Sequence, residues 1–314
     1  MHIVITGANG FIGNHLARRI LSKKNIPEPL SSFQHLTLVD LDFSNSSGLE
    51  EANLVAGSFA DPKTIQTILK THPADFVFHL ASVPSGLAEE NFQLGVDVNI
   101  LGTQALFDSL KNQGNCPTVV FASSIAVYGK PEVDTVDEKT LPKPDLSYGA
   151  QKVIGETLLA DYNRRQWLRG SSVRIPGIVA RPSEPNGAVS FFFSDLIRKL
   201  SAGKPFTCPV SAEGKSWLMS VHTCVNNLLN AACLQNQASS TWTLPALHIR
   251  IGDLVEAIAN LYPEYNISEL INYQPDEWVE YNFATYPPLH CPNAQAHGFT
   301  HDGDLKSLVV NALN

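Results

Sequence analysis

The sequence predicts an α/β protein with a doubly wound parallel sheet and a smaller C-terminal lobe. Short apolar runs of strand type alternate with segments of helical period from His2 to Arg181, which is the order expected of parallel strands joined by helices. After Arg181 and Pro182 that alternation breaks up, and the stretch from Ile249 to Tyr286 mixes helix and strand signals with several aromatic residues. This change of character indicates a second lobe.

The first element is a strand, His2–Thr6, followed by a glycine-rich turn and by apolar residues at helical spacing as far as Leu21. Gly7 permits a tight bend, Gly10 lets the backbone approach a pyrophosphate, and Gly13 lets the helix pack closely on the sheet. The helix N-terminus offers unpaired N–H groups to an anion. Because the glycines stand between a strand and a helix, they favour dinucleotide binding in a Rossmann-type domain over a merely structural turn. The candidate cofactor contacts in this turn are Gly7, Asn9, Gly10, Phe11, Ile12 and Gly13.

An acidic residue, Asp40, follows the second strand, His35–Val39. A carboxylate at this place accepts hydrogen bonds from the hydroxyls of the adenosine ribose. It would repel the extra phosphate of NADP, and no Arg lies in the next residues to receive that phosphate. The sequence therefore predicts NAD as the cofactor, and the alternative interpretation of Asp40 is a solvated Asp at a strand end.

The third strand, Leu54–Gly57, leads to Asp61 and Pro62, which open a helix over Lys63–Lys70. Asp followed by Pro is typical of a helix N-cap. Capping is the plain interpretation of Asp61, and contact with adenine is the functional one.

The fourth strand, Phe76–Leu80, enters a loop over Ala81–Gly86, and a helix is predicted from Glu89 to Lys111. At the carboxyl end of a parallel strand, such a loop lines the ligand crevice. A polar residue in the middle of the helix, Asn99, is more often a satisfied core residue than a functional one. The candidate ligand contacts in the loop are Leu80, Ala81, Ser82 and Ser85.

The fifth strand, Thr118–Ala122, delivers Ser124 to the same edge of the sheet, and the next helix carries Tyr148 four residues before Lys152. Phenol and ammonium then lie on one face of the helix, one turn apart. A free phenol has a pKa of about 10, and a neighbouring positive charge lowers that pKa. Such a Tyr can take a proton from a substrate hydroxyl, and a Ser hydroxyl can orient the same oxygen. Alone, Tyr-x-x-x-Lys is a common accident on a solvated helix face, but the glycine turn and the strand-end serine favour chemistry.

These elements predict a domain organisation. We expect residues 1–182 to form an NAD-binding domain, with residues 216–245 returning to it. Residues 183–215 and 246–314 should then form the substrate-binding lobe.

Composition excludes several classes of protein. A net charge of -8 argues against a nucleic-acid partner, and no apolar run approaches the ~20 residues that span a bilayer. The chain enters a strand pattern at once, so we expect no signal or transit peptide. The five cysteines lack the spacing of metal ligands or of a disulfide framework, which indicates free thiols, no metal and a cytoplasmic location. They are Cys116, Cys208, Cys224, Cys233 and Cys291.

These features together resemble the extended branch of the short-chain dehydrogenase/reductase superfamily, which contains nucleotide-sugar epimerases and dehydratases. The resemblance spans most of residues 1–235 and implies that Tyr148 is the acid/base residue. It also implies that Lys152 lowers the pKa of Tyr148 and holds the nicotinamide ribose, that Ser124 positions the reacting oxygen, and that Asn99 supports the helix of the proton relay. The residues that carry the resemblance are Gly7, Gly10, Gly13, Asp40, Asp61, Leu80, Ala81, Asn99, Ser124, Tyr148 and Lys152.

Three stretches, 85–92, 148–156 and 181–186, are similar to the D-erythronate dehydrogenase group, which oxidises a small sugar acid with NAD. The resemblance implies a homodimer, a contact of Pro176 with the cofactor, and a substrate site for a small sugar acid. The residues expected at the substrate are Ser85, Ser124, Tyr148, Gly177, Arg181, Asn186 and Trp217.

Two alternatives remain open. One is a nucleotide-sugar epimerase or dehydratase that retains its NAD, and the other is a non-catalytic NAD-binding protein. Dehydratases of the family carry an Asp-Glu pair after the serine, where this chain has Ile125 and Ala126, and epimerases carry a nucleotide-binding Asn where this chain has Gly177. A protein that only binds NAD has no chemical need for Ser124, Tyr148 and Lys152 together, so the dehydrogenase is favoured.

Overall fold

The structure is a computed structural model that describes residues 1–43, 47–70, 72–182, 189–234 and 241–313. The chain divides into two compact units. The first unit comprises Met1–Ser124, Leu146–Arg174 and Val225–Trp242, and the second comprises Ile125–Asp145, Ile175–Cys224 and Thr243–Asn314.

The described residues form strands throughout both units. In chain order they are β1 His2–Thr6, β2 His35–Asp40, β3 Asn53–Ala56, β4 Phe76–His79, β5 Thr118–Ser124, β6 Val136–Asp137, β7 Arg169–Ile175, β8 Gly177–Val179, β9 Phe206–Cys208, β10 Lys215–Ser220, β11 Thr241–Thr243, β12 Leu247–Arg250, β13 Ile271–Tyr273 and β14 Leu289–His290.

The helices of the described residues alternate with these strands. They are α1 Phe11–Ser22, α2 Pro62–Leu69, α3 Ser85–Glu90, α4 Phe92–Gly95, α5 Thr103–Asn112, α6 Ser147–Arg164, α7 Phe192–Ser201, α8 Val221–Cys233, α9 Ile251–Leu261, α10 Ile267–Leu270, α11 Glu277–Phe283, α12 Pro292–Ala296 and α13 Leu305–Leu313. A π-helical segment, Val96–Gly102, joins α4 to α5, and a 3-10 turn, Ile125–Tyr128, follows β5.

The sheet of the first unit confirms the predicted fold class. Among the described residues it has seven strands in the order β11-β7-β5-β4-β1-β2-β3. β1 pairs in parallel with both β2 and β4, so the chain winds outward to β3 and then returns to the other side of β1. All five residues of β1 are buried, as expected of a parallel strand that is covered on both faces. The switch point beside β1 is where such sheets bind ligands, at the carboxyl ends of the strands.

The long helix predicted over Glu89–Lys111 is interrupted in the structure. Helical structure begins at Ser85, in the stretch predicted as loop, and breaks at Asn91, whose side chain caps α4 by accepting a hydrogen bond from the N–H of Leu94 at 3.1 Å. The chain then passes through the π-helical segment before α5 begins. Wide helical turns of this kind are frequent at functional sites.

In the second unit, small sheets surround a core of their own. β12, β10 and β8 form one sheet, β13 pairs with β9, and β14 pairs with β6. The C-terminal helix begins at Leu305, three residues after Asp302. Asp302 is occupied elsewhere, because its carboxylate accepts hydrogen bonds from the N–H of Ser220 at 2.8 Å and from the hydroxyl of Thr223 at 2.7 Å.

The boundaries of the units differ from the predicted domains. Residues 125–145 belong to the second unit, where β6 pairs with β14. Residues 175–182 also belong to it, because β8 pairs with β10 rather than joining the seven-stranded sheet. The segment that returns to the first unit is Val225–Trp242, shorter than the predicted 216–245.

Three further observations apply only to the residues that the structure describes. No helix of that part of the chain has the length and apolar character to cross a membrane. The five cysteines are free thiols. Within the same residues, no group of His, Cys, Asp or Glu side chains could hold a metal ion.

Candidate active site

The glycine turn between β1 and α1 has no room for side chains at two of its positions. Gly7 has a φ of +72°, and a Cβ there would lie 2.7 Å from the nitrogen of Ala81. A Cβ at Gly13 would lie 2.0 Å from the carbonyl oxygen of Gly7. Real Cβ atoms do not approach backbone this closely, so the fold demands glycine at both positions. The loop after β4 is thereby held against the turn, also through the N–H of Leu80 on the carbonyl of Thr6 at 3.2 Å.

Helix α1 begins directly after this turn. Gly10 is its N-cap and makes no side-chain capping bond, while the side-chain oxygen of the neighbouring Asn9 is buried without a hydrogen-bond partner among the described residues. Buried polar atoms normally have partners, so an unpartnered one beside a helix N-terminus fits a ligand. Phe11 and Ile12, the first residues of α1, are half-buried.

Asp40 fastens the end of β2 to the glycine turn. Its Oδ2 accepts a hydrogen bond from the N–H of Asn9 at 2.8 Å, and its Oδ1 accepts one from the N–H of Leu41 at 2.7 Å. The carboxylate is half-buried. A carboxylate oxygen has more than one lone pair, so Asp40 keeps the capacity to accept from a ribose hydroxyl.

The structure confirms that Asp61 caps a helix. It is the N-cap of α2, and its Oδ1 accepts a hydrogen bond from the N–H of Lys63 at 3.0 Å. Contact with adenine remains a prediction.

Asn99 lies buried in the π-helical segment and is fully engaged. Its Oδ1 accepts the N–H of Val83 at 2.8 Å, and its Nδ2 donates to the carbonyl of Val83 at 3.1 Å and to Oε1 of Gln151 at 2.7 Å. Gln151 immediately precedes Lys152. Asn99 therefore fixes both the loop after β4 and the helix that carries Tyr148 and Lys152.

The structure brings Tyr148 and Lys152 together as predicted. Tyr148 is half-buried on α6, and the Nζ of Lys152 lies 5.4 Å from the centre of its ring. Lys152 is only 2% exposed, and burial lowers the pKa of its ammonium to about 7, while the nearby Glu156 acts to raise it. Ser124, the last residue of β5, is half-buried.

Below this face of α6 lies a buried network that the sequence prediction missed. The guanidinium of Arg174 donates to Glu156 through Nε at 2.9 Å and through Nη2 at 2.8 Å, and the hydroxyl of Ser123 donates to the same carboxylate at 2.5 Å. Burial, together with the charge of Lys152, lowers the pKa of His79 to about 3. A signal was present, since Glu156 follows Lys152 by four residues and so shares its helix face.

The predicted substrate residues outside α6 and β5 differ in how far they are buried. Ser85 is half-buried as the first residue of α3, and Arg181 is half-buried in the second unit. Trp217 is 0% exposed, and its indole N–H donates to the carbonyl of Pro287 at 2.7 Å. Contact of Trp217 with the substrate stays a prediction. Asn186 lies outside the described residues.

Pro176 and Gly177 follow β7 in the second unit. Pro176 is buried, and Gly177 begins β8, where it pairs with Leu218 of β10. A Cβ at Gly177 would lie 2.8 Å from the side chain of Leu218 and 3.2 Å from the carbonyl oxygen of Trp217. An Asn at this position, as in epimerases, would require the Leu218 side chain to shift.

The comparison with protein families decides the class of this chain. The NAD dependent epimerase/dehydratase family matches residues 3–223. The chain belongs to this family. Membership confirms the expected extended short-chain dehydrogenase/reductase relationship and NAD as the cofactor.

Similar proteins in this family extend over almost the whole chain. The chain is 34% identical to the D-erythronate dehydrogenase of Cupriavidus necator, over 98% of this chain and 97% of that protein. It is 28% identical to the D-erythronate dehydrogenase of Haemophilus influenzae, over 98% of both proteins. These relatives confirm the expectation of an oxidoreductase.

A solved structure of the family has the same fold. The crystal structure of the nucleoside-diphosphate-sugar epimerase from Agrobacterium tumefaciens superposes with a TM-score of 0.88 at 30% identity, covering 98% of this chain and 92% of that one.

Proposed function

We propose that the protein oxidises a secondary hydroxyl of a small sugar acid, such as D-erythronate, with NAD. The chemical part of this proposal is supported by one observation above all, the buried ammonium of Lys152 at 5.4 Å from the ring of Tyr148. The substrate part is supported by the full-length similarity to proteins named D-erythronate dehydrogenase.

The residues present fit NAD. The unpartnered oxygen of Asn9, the space-limited glycines and the open N-terminus of α1 suit a pyrophosphate, and Asp40 suits the adenosine ribose. We propose that the following residues also contact NAD: Asp61, Leu80, Ala81, Ser82 and Pro176. When bound, NAD supplies the acceptor for the hydride that leaves the hydroxyl-bearing carbon.

The side chains on α6 and β5 would handle the proton. Tyr148 would remove the proton from the substrate hydroxyl while hydride leaves the carbon that bears this hydroxyl. Lys152 in its charged form would stabilise the phenolate of Tyr148 that begins the step. Ser124 would donate a hydrogen bond to the reacting oxygen. Asn99, through Gln151, would hold α6 in place for this reaction.

The substrate would be held by hydroxyl partners and by a cation. Ser85, Gly177 and Asn186 are the proposed neighbours of the polyol. We propose Arg174, Arg181 and Lys215 as the candidate cations for the carboxylate, and Arg174 is already paired with Glu156 in the first unit. Lys215 is exposed at the start of β10.

A second candidate is a nucleotide-sugar epimerase that keeps its NAD, and the similarity to the Agrobacterium tumefaciens structure favours it. The limited space at Gly177 weighs against the nucleotide-binding Asn that this reaction uses in relatives. Ile125 and Ala126 lack groups that transfer protons, which weighs against a dehydratase.

One screen separates these functions. NADH absorbance is followed while the protein is offered four- to six-carbon aldonic and uronic acids and, in parallel, UDP-sugars. We expect NADH from a sugar acid, and neither turnover nor a rise in melting temperature with UDP-glucose. NAD that copurifies with the protein, together with a melting temperature raised by UDP-glucose and by no sugar acid, would favour the epimerase.

A homodimer is part of the proposal. Three apolar side chains stand exposed on packed elements of the first unit: Phe92 on α4 is 61% exposed, Leu101 on the π-helical segment 52%, and Ile154 on α6 44%. A second copy would cover them. Light scattering should give twice the chain mass for the native protein and the mass of one chain for Leu101→Glu combined with Ile154→Glu.

We also propose a cytoplasmic location, because five free thiols are typical of a reducing compartment.

A further inference from the structure

The ion pair of Glu156 and Arg174 differs from the others in the described part of the chain. Its side chains are 6% and 10% exposed, whereas every other pair there includes a group at least 38% exposed. Removing two charges from water costs several kcal/mol per ion, so replacement by apolar residues is often neutral or stabilising. A buried ion pair of this kind is therefore weak evidence of added stability.

The network holds the Glu156 carboxylate in one orientation. Both of its oxygens are bound by Arg174, and Oε1 also accepts from Ser123, the residue before Ser124. Two parallel bonds from a planar guanidinium fix a carboxylate more firmly than a single contact. The negative charge therefore stays in one place, on the helix face that Lys152 occupies one turn earlier.

Few charged groups face Lys152 from the surrounding elements. On α6 itself these are Tyr148 and Glu156. From β4 comes His79, which burial keeps neutral, and from β5 the uncharged ring of Phe121 at 5.0 Å. Glu89 of α3 accepts a hydrogen bond from the N–H of Ser147 at the start of α6. From β7 comes Arg174, whose guanidinium is paired with Glu156 and offsets part of its charge. Glu156 supplies the opposite charge on the helix turn after Lys152, and it raises the pKa of Lys152, which burial lowers.

We propose that Glu156 is a positioning residue that keeps Lys152 protonated, and that Arg174 and Ser123 hold its carboxylate for this purpose. The functional consequence rests on the proposed role of Lys152 as the partner of Tyr148. A neutral Lys152 could not stabilise a phenolate, so loss of the Glu156 charge would narrow the pH range of activity from its alkaline side.

The test measures the titration of Lys152 directly. In the full-length chain labelled with ¹³C at lysine Cε, the Lys152 signal is assigned by its loss in Lys152→Met, and its midpoint is followed with and without NAD. In Glu156→Gln we expect the midpoint to fall by about one pH unit, as for loss of a nearby opposite charge. Asp161→Asn removes a carboxylate that pairs with Arg164 and Arg165 on the exposed end of the same helix, and it should leave the midpoint in place.

A second variant guards against misfolding. Glu156→Gln leaves Arg174 with an uncompensated buried positive charge, which itself disfavours protonation of Lys152. Glu156→Gln combined with Arg174→Met removes both charges, so a smaller fall in the same direction is expected. An unchanged Lys152 midpoint in either folded variant would reduce the network to a structural role and overturn the proposal.

The pH dependence of kcat/KM adds a functional readout with any sugar acid that is turned over. In Glu156→Gln the alkaline limb of this profile should shift to lower pH by about the same one unit. In Glu156→Asp, which keeps the charge, it should lie near its position in the native chain. Because the NMR titration needs no substrate, it judges the role of Glu156 even if no sugar acid reacts. If the midpoint falls but no sugar acid is oxidised, the proposed function fails and the Glu156–Lys152 coupling stands.

Discussion

The glycine turn and helix α6, both in the first unit, are built in opposite ways. The turn is made of backbone in contact with backbone, and a Cβ at Gly7 or Gly13 would lie within 2.7 Å of main-chain atoms. Helix α6 instead buries charged side chains, including Lys152 and Glu156, on the face that packs against the sheet. The proposed cofactor binding thus depends on the space around the glycines of the turn. The proposed reaction depends on the charges and protons of the side chains on α6.

This difference teaches which substitutions each region tolerates. At the turn, an added methyl group is more harmful than a change of polarity, because rigid backbone lies opposite it. On α6, a substitution that preserves shape but removes a hydroxyl or a charge should leave the fold intact and stop the chemistry.

The largest effect is expected from Tyr148→Phe, which keeps the ring and removes the acid/base group. Turnover should fall by ~10²–10⁴, the contribution of general acid–base catalysis, while the Kd for NAD changes little. Initial rates and a calorimetric titration measure the two quantities. The matched control is Tyr162→Phe on the same helix, where the lost hydroxyl bonds Asp108 at 2.8 Å and activity should persist. Near-normal turnover in the Tyr148 variant would remove Tyr148 from the mechanism.

Next in size is Gly13→Ala, because its Cβ would overlap the carbonyl oxygen of Gly7 at 2.0 Å. We expect the free energy of unfolding to fall by about 3 kcal/mol. Gly10→Ala is the comparison, since its Cβ would meet the same oxygen at 3.2 Å, and it should cost the fold much less. Equal urea midpoints for the two variants would show that space does not govern the turn.

A smaller, pH-dependent effect is expected from His79, which is buried against Thr6 and Thr103 with a pKa lowered to about 3 by burial and by Lys152. The unfolded chain binds this proton at a pKa of about 6.5, so stability is lost as pH falls below 6.5. Between pH 7 and pH 5 the loss should be about 2 kcal/mol. Denaturant unfolding of His79→Gln should lack this part of the pH dependence, while the exposed His15→Gln should retain it. Parallel profiles for the native chain and His79→Gln would contradict the assignment.

The smallest effect concerns cofactor choice. Asp40→Asn keeps an oxygen for the N–H of Asn9 and removes the charge that would repel a 2′-phosphate. The native chain should bind NAD far more tightly than NADP, and the variant should narrow that ratio by about tenfold, or about 1.4 kcal/mol. Calorimetric titration with both cofactors decides it. Equal affinity of the native chain for NAD and NADP would remove Asp40 as the determinant.

The same contrast explains what the sequence could predict. The glycine turn, the Asp61 cap and the Tyr148–Lys152 pair depend on residues a few positions apart, so periodicity and spacing reveal them. The bond from Asn99 to Gln151 and the pair of Glu156 with Arg174 join segments that only the folded sheet brings together. A sequence pattern likewise does not show that the indole of Trp217 is enclosed.

The second unit was predicted least well for the same reason. Its strands are two to six residues long, and they pair segments far apart in the chain, such as Val136 with Leu289. Short strands carry little periodic signal, and their partners are set by packing rather than by neighbouring residues.

Hydride transfer from a sugar acid to NAD is tested most directly with D-erythronate that carries deuterium on its hydroxyl-bearing carbons. We expect the NADH recovered from many turnovers to contain one deuterium per molecule, in step with the acid consumed. NADH free of deuterium, or no net NADH while a UDP-sugar is interconverted, would contradict the proposed dehydrogenase.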